Sequence, residues 1–107
     1  MDDLLKKLVG QAVVGVTQAE TLSLELDSGA RVHIYNKVTW LGCADPSRLK
    51  GRTLDRVTRR IDRVVVDFGG LQFEFVDEYP DTAAPEVAAV HFPDGRIFVH
   101  QGEETAR

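Results

Sequence analysis

Two stretches of alternating apolar residues decide the fold, and each contains a turn signal. Residues 22–34 read LSLELDSGARVHI, and residues 64–75 read VVVDFGGLQFEF. Alternation with period two is typical of a strand that buries one face. Residues 27–29 (DSG) fit a three-residue hairpin loop, and residues 69–70 (GG) fit a two-residue loop. Both stretches therefore predict antiparallel hairpins.

The two turns set the register of each hairpin. A shift by one residue would bury Glu25, Asp67 and Glu74, so the register is strongly specified. In both hairpins the residues that oppose each other are apolar and share one face: Leu22 with Ile34, Leu24 with Val32, Leu26 with Ala30, Val64 with Phe75, Val66 with Phe73, and Phe68 with Leu71.

The chain matches itself at an offset of about 41 residues. Residues 8–10 (LVG) align with residues 49–51 (LKG), and residues 16–17 (VT) align with residues 57–58. Each half opens with a helix signal, since Asp3 is a candidate N-cap and Asp45 precedes Pro46. The repeating unit is thus a short helix followed by three strands. Residues 52–60 fit a strand or an amphipathic helix, and the analogy with the first half favours the strand.

A third hairpin is predicted near the C-terminus, after a loop interrupted by two prolines. Asp94 and Gly95 form a type I′ turn signal, which pairs Phe92 with Ile97 and Val90 with Val99. This register places His91 and His100 together on the opposite face.

These patterns predict an all-β, mainly antiparallel fold with two short helices, arranged as a sandwich or a small barrel. Its 107 residues fit a single domain. We expect repeat 1 at residues 3–36, a linker at 37–45, repeat 2 at 46–77, and a C-terminal loop and hairpin at 78–101.

Composition excludes several classes of protein. The chain is 43% hydrophobic and 28% charged, with a net charge of −4 and one cysteine, Cys43. No apolar run approaches the roughly 20 residues that span a bilayer, and the start lacks the pattern of a signal peptide. We therefore expect a cytoplasmic protein that has no intramolecular disulfide and does not enter a membrane. Because the net charge is acidic, we expect no nucleic-acid partner.

Catalytic motifs are missing from the sequence. The serines have no nucleophile-elbow context, and neither a dinucleotide fingerprint nor a P-loop is present. We expect no enzyme activity and no cofactor. One metal hypothesis remains, in which His91 and His100 bind an ion across the last hairpin and Glu86 provides a carboxylate.

Candidate binding residues fall into two groups. Exposed aromatic residues often mark interfaces, although Trp40 could equally plug the join between the repeats. Residues 48–63 carry seven basic and two acidic side chains, which could meet an acidic partner or pair within the chain. The candidates are Tyr35, Trp40, Tyr79, Phe98, Arg56, Arg59, Arg60 and Arg63.

Three functional hypotheses follow. The first is a non-enzymatic interaction module that forms a homodimer or binds a protein partner. The second is an acidic inhibitor or immunity-type protein that docks a basic target through its acidic residues at 77, 78, 81 and 86. The third is a metal-binding protein or enzyme that uses His91 and His100.

Overall fold

A computed structural model describes residues 2–41, 45–76 and 87–100 as two antiparallel β-sheets with very little helix. The all-β prediction is thereby confirmed. In chain order the elements of these residues are α1 (Asp2–Lys6), β1 (Val13–Gln18), β2 (Leu22–Leu26), β3 (Arg31–Ile34), β4 (Val38–Leu41), a 3₁₀ helix (Pro46–Leu49), β5 (Arg56–Arg60), β6 (Arg63–Asp67), β7 (Gln72–Val76), β8 (Ala88–His91) and β9 (Ile97–His100).

The strand orders show that both sheets combine local and distant pairings. The five-stranded sheet has the order β1-β2-β3-β8-β9, and the four-stranded sheet has the order β4-β7-β6-β5. Hairpins join β1 to β2, β2 to β3, β5 to β6, β6 to β7, and β8 to β9. In contrast, β3 pairs with β8 and β4 pairs with β7 across long stretches of chain. The five-stranded sheet therefore takes β8 and β9 from the second half of the sequence, and the four-stranded sheet takes β4 from the first half.

One hydrophobic core is shared by the apolar faces of both sheets. Because the alternating residues of each hairpin point to one side, a single face of each sheet becomes buried. The helices add Leu5 and Leu49 to the same core. The largest fully buried side chains include Phe68, Phe73, Phe75, Leu22, Leu26 and Ile34.

The registers predicted for the first two hairpins are confirmed. Leu24 faces Val32 across β2 and β3, and Val66 faces Phe73 across β6 and β7. At the second turn the backbone N–H of Phe68 donates to the carbonyl of Leu71 over 2.7 Å. Local alternation and turn chemistry were sufficient here, because neither requires a distant partner.

The register predicted for the C-terminal hairpin is wrong by one residue. Val90 pairs with Phe98, and His91 pairs with Ile97. A two-residue turn would place Pro93 in the closing pair, where it has no N–H to donate. The loop instead contains three residues, 93–95, and it closes through a 2.8 Å hydrogen bond from the Phe92 N–H to the Arg96 carbonyl. Gly95 permits this loop because its φ is +92°.

Two helical details also differ from the prediction. Helix α1 begins at Asp2, so Asp3 lies inside it and not at its N-cap. The second helix is a single 3₁₀ turn, in which Asp45 is the N-cap and accepts a 3.1 Å hydrogen bond from the Ser47 N–H. Four residues are typical of 3₁₀ geometry, which is rarely sustained for longer.

Strands occupy residues 38–41, within the predicted linker, and residues 56–60, within the ambiguous segment. Strand β4 lies within the predicted linker, where four residues are too few to show a periodic pattern. Within 52–60 the strand interpretation is confirmed at β5, which pairs with β6 from Arg56 to Arg60.

A short backbone joint connects the start of β1 to the segment before β5. The Gly10 N–H donates to the Leu54 carbonyl, and the Gly51 N–H donates to the Val13 carbonyl, both over 2.8 Å. Ala12 and Thr53 form an isolated antiparallel bridge between these bonds. The joint therefore ties the two sheets together at one corner.

Among the described residues, none of the helices has the length and hydrophobicity needed to cross a membrane.

Candidate functional site

Two of the four sheet edges carry features that oppose pairing with another chain. Strand β5 ends one sheet and presents Arg56, Arg59 and Arg60, and charged side chains discourage strand addition. Strand β1 ends the other sheet, and its register shifts between Val13 and Gly15 in a β-bulge. Bulges twist an edge away from a flat partner. Neither edge offers a regular apolar template.

The side chains of a third edge strand, β4, pack partly against the core. Val38, Trp40 and Leu41 are half-buried. The Trp40 ring lies edge-on to Phe73 with 5.4 Å between the ring centroids. The half-buried Trp40 therefore packs against the core, and its role at an interface stays a prediction.

Strand β9 differs from the other three edges. Ile97, Phe98 and Val99 are 57%, 40% and 51% exposed, and none of the four residues of β9 is Asp, Glu, Lys or Arg. Because Phe92 and Arg96 form a hydrogen-bonded pair at the turn, the position of every other hydrogen-bonded pair along β8 and β9 follows from it. Bonded and non-bonded pairs alternate in antiparallel strands, so Phe98 bonds to Val90, while the backbone groups of Ile97 and Val99 point away from β8. In the described structure β9 is thus an apolar edge with outward-facing backbone groups.

Neighbouring residues hold the beginning of β9 in place. Phe92 lies edge-on to Phe98 at 5.5 Å between ring centroids, and the Arg96 guanidinium lies 5.3 Å from the Phe92 centroid. Arg96 also bonds Asp94 over 2.6 Å. A hydrogen bond from the backbone N–H of Arg96 is the main cause of the lowered pKa of Asp94. Phe98 is therefore oriented before any partner arrives.

The other aromatic candidates lie elsewhere. Tyr35 and Trp40 line one open groove of about 470 Å³, together with Val38 and Pro46. Tyr35 is 44% exposed and stacks on His33. Tyr79 lies outside the described residues. The structure therefore brings Tyr35 and Trp40 together but does not place them on the β9 edge.

The arginine candidates lie on β5 and β6. Arg63 bonds Glu74 on β7 over 2.7 Å, and Arg56 helps to lower the pKa of Asp67, for which the Gly70 N–H is the main cause. These contacts agree with pairing inside the chain. An exposed pair of this kind adds at most about 1 kcal/mol to stability.

The metal hypothesis assumed that His91 and His100 lie on the same face of the last hairpin, and the observed register does not agree with this. His100 pairs with Ala88 and His91 with Ile97, so the two histidines occupy register positions of opposite parity. Glu86 lies outside the described residues. Across the described ranges, no group of three or more His, Cys, Asp or Glu side chains is arranged to hold an ion.

A different histidine pair forms on the outer face of the five-stranded sheet. The ring centroids of His33 and His91 are 5.0 Å apart, and the ring planes are inclined to each other by 78°. Alternation along β3 indicates that His33 points outward with Arg31, but no sequence signal reports the pairing of β3 with β8. The contact therefore depends on tertiary structure.

Comparison with known proteins gives no further guide to function, since no family model, no curated protein and no solved structure matches the chain.

Proposed function

We propose that the protein is a non-enzymatic interaction module that forms a homodimer by pairing β9 with β9 of a second copy. The observation that carries this proposal is the exposure of three consecutive apolar side chains on an uncharged edge strand. Such an edge is a template for another strand, and natural proteins usually protect it.

The sequence of β9 is compatible with antiparallel pairing to itself. With a two-fold axis at Phe98, Ile97 of one copy lies opposite Val99 of the other. Their outward N–H and C=O groups then form the bonded pairs, and the side chains form apolar cross-strand pairs. Phe98 faces Phe98 of the second copy. The contact is closed by its symmetry, so it yields a dimer and not a fibre.

We also infer that the chain is an internal duplication and that β9 lies outside the repeat. Gly10 and Val13 are equivalent to Gly51 and Leu54 at the offset of 41, and these residues exchange hydrogen bonds at the joint. β1-β2-β3 corresponds to β5-β6-β7, and β8 beside β3 corresponds to β4 beside β7. Within the described chain β9 has no counterpart next to β4. An added strand at an unprotected edge supports a separate role in association.

This function requires no cofactor, nucleic acid or catalytic residue, and a cytoplasmic location stays a prediction. The acidic residues 77, 78, 81 and 86, on which the inhibitor hypothesis depends, lie outside the described residues, so that hypothesis also stays a prediction.

Sedimentation equilibrium over a range of concentrations tests the homodimer. We expect a dimer for the wild type and an increase of at least about tenfold in the dissociation constant for Val99→Lys. Two buried valines are lost per dimer, and each contributes roughly 1.5–3 kcal/mol when fully buried. The expected increase is conservative for that reason.

Ile61→Lys is the matched control, because Ile61 is a 95% exposed apolar residue in the turn between β5 and β6. It should leave the dissociation constant unchanged. A wild-type chain that is monomeric at every accessible concentration would contradict the proposal. Dissociation by Ile61→Lys but not by Val99→Lys would instead place the interface at the turn between β5 and β6.

A further inference from the structure

The spacing of His33 and His91 matches that of two imidazoles bound to one metal ion. Their ring centroids are 5.0 Å apart. An ion about 2.1 Å from one nitrogen of each ring, with tetrahedral angles, places the two centroids roughly 5 Å apart. The two residues come from neighbouring paired strands, which hold this spacing through backbone hydrogen bonds.

A hydroxyl group beside His33 fixes one side of its ring. Ser23 Oγ and His33 Nδ1 are 2.8 Å apart and share a hydrogen bond. When Nδ1 carries the proton and donates it to Ser23, Nε2 keeps its lone pair for a metal. Histidines that bind metals in proteins usually have such a partner on the second nitrogen.

From this geometry we propose that His33 and His91 form a two-histidine site for a divalent transition ion such as Zn²⁺ or Ni²⁺. The chain provides two ligands, and water fills the remaining positions. Imidazole suits these ions, whereas Mg²⁺ and Ca²⁺ prefer oxygen ligands. The site is independent of the proposed homodimer, which does not require a metal.

The surroundings allow an ion to reach the site. His33 lines an open groove of about 420 Å³ together with Gly15 and Ser23. Both histidines are partly exposed. Burial lowers the pKa of His33, and the charges of His91 and Arg31 lower it further, which favours the neutral ring that a metal requires.

The charged groups nearby set the affinity. In the register of the sheet, Arg31 lies opposite Glu25 of β2 on one side and opposite His91 of β8 on the other. A positive guanidinium beside the ion opposes binding, and the Glu25 carboxylate favours it. We therefore expect moderate affinity and a tighter site when the Arg31 charge is removed.

Titration of the untagged chain with Ni²⁺ tests the site, followed by calorimetry and by NMR of the histidine rings. The chain contains three histidines, so each ring resonance can be assigned. We expect one Ni²⁺ per chain and selective broadening of the rings of His33 and His91. His33→Gln and His91→Gln should each weaken binding at least about tenfold, and amide spectra confirm that each variant is folded.

His100→Gln is the matched control and should bind Ni²⁺ like the wild type. Loss of binding in His100→Gln but not in His33→Gln would overturn the site in favour of the pairing predicted from the sequence. Arg31→Gln should tighten Ni²⁺ binding. Weaker Ni²⁺ binding by that variant would contradict a site in which the Arg31 charge opposes the ion. If inorganic phosphate shifts both rings and Ni²⁺ does not, the cluster binds anions and the metal site is wrong.

Discussion

At the level of single residues, the fold lowers the pKa of His33. Partial burial is the largest cause that lowers its pKa, and the neighbouring His91 and Arg31 lower it further. Each of these causes disfavours the charged imidazolium. Alternation along β3 predicts that His33 and Tyr35 share the outward face, but the partner histidine comes from β8, about 60 residues later.

This pKa shift makes stability depend on pH. An unfolded His33 has a pKa of about 6.5, above that of the folded chain, so the unfolded state binds the proton more readily. The resulting stabilisation is complete above about pH 6.5 and is lost as the pH falls through the folded pKa. The free energy of unfolding of the wild type should therefore fall more steeply between about pH 7 and pH 5 than that of His33→Gln.

Urea denaturation at a series of pH values measures this difference. Carboxylates also titrate near pH 5, but they contribute equally to both proteins. Parallel curves for the wild type and His33→Gln would show that the fold does not shift the titration of His33.

Among the elements, the turn between β5 and β6 contains the one non-glycine residue with positive φ in the described structure. Ile61 has a φ of +52° and is 95% exposed. It occupies the first position of the two-residue loop between Arg60 and Arg63. That position favours glycine in a type II′ turn, and a β-branched side chain is strained there.

Ile61→Gly should stabilise the protein by about 0.5–1 kcal/mol. Relief of a left-handed conformation gains roughly 1–2 kcal/mol, and the greater freedom of glycine in the unfolded chain offsets part of it. Chemical denaturation measures the change. Ile61→Ala is the control, because it removes the exposed side chain but keeps a Cβ at positive φ. An equal gain from alanine would mean that backbone strain is not the cause.

The elements also show where local prediction succeeds and where it fails. Strands β2, β3, β6 and β7 follow from alternation that is interrupted by turn residues. Strand β4 has no such signal, because its four residues are ordered by pairing with β7. The last hairpin has a clear turn signal, yet Pro93 cannot close a two-residue loop, and this moves the register by one.

Across the molecule, the joint between the two sheets connects positions that are equivalent in the proposed duplication. Gly10 and Gly51 have φ values of +95° and +87°, and each donates one of the exchanged hydrogen bonds. A Cβ added at either glycine would meet no atom within 4 Å. Substitution there is therefore opposed by backbone conformation and not by crowding.

Gly10→Ala and Gly51→Ala should each destabilise the protein by a similar amount, roughly 1–2 kcal/mol. Gly15→Ala is the control, since an added Cβ there makes ordinary contact at 3.6 Å with Glu25 and φ is not in the left-handed region. It should change stability by less than about 0.5 kcal/mol. A cost at Gly10 without one at Gly51, measured by chemical denaturation, would show that the two halves of the joint are not equivalent.

Alternation and turn chemistry are properties of neighbouring residues, so the all-β class, two hairpin registers and the outward face of β3 could be predicted from the sequence. The pairing of β3 with β8 and of β4 with β7 could not be predicted, since no local pattern encodes which strand a distant edge will meet. These pairings bring His33 to His91. They also leave β9 as the apolar edge of its sheet, because β8 pairs with β3 on one side and with β9 on the other, and no further described strand pairs with β9.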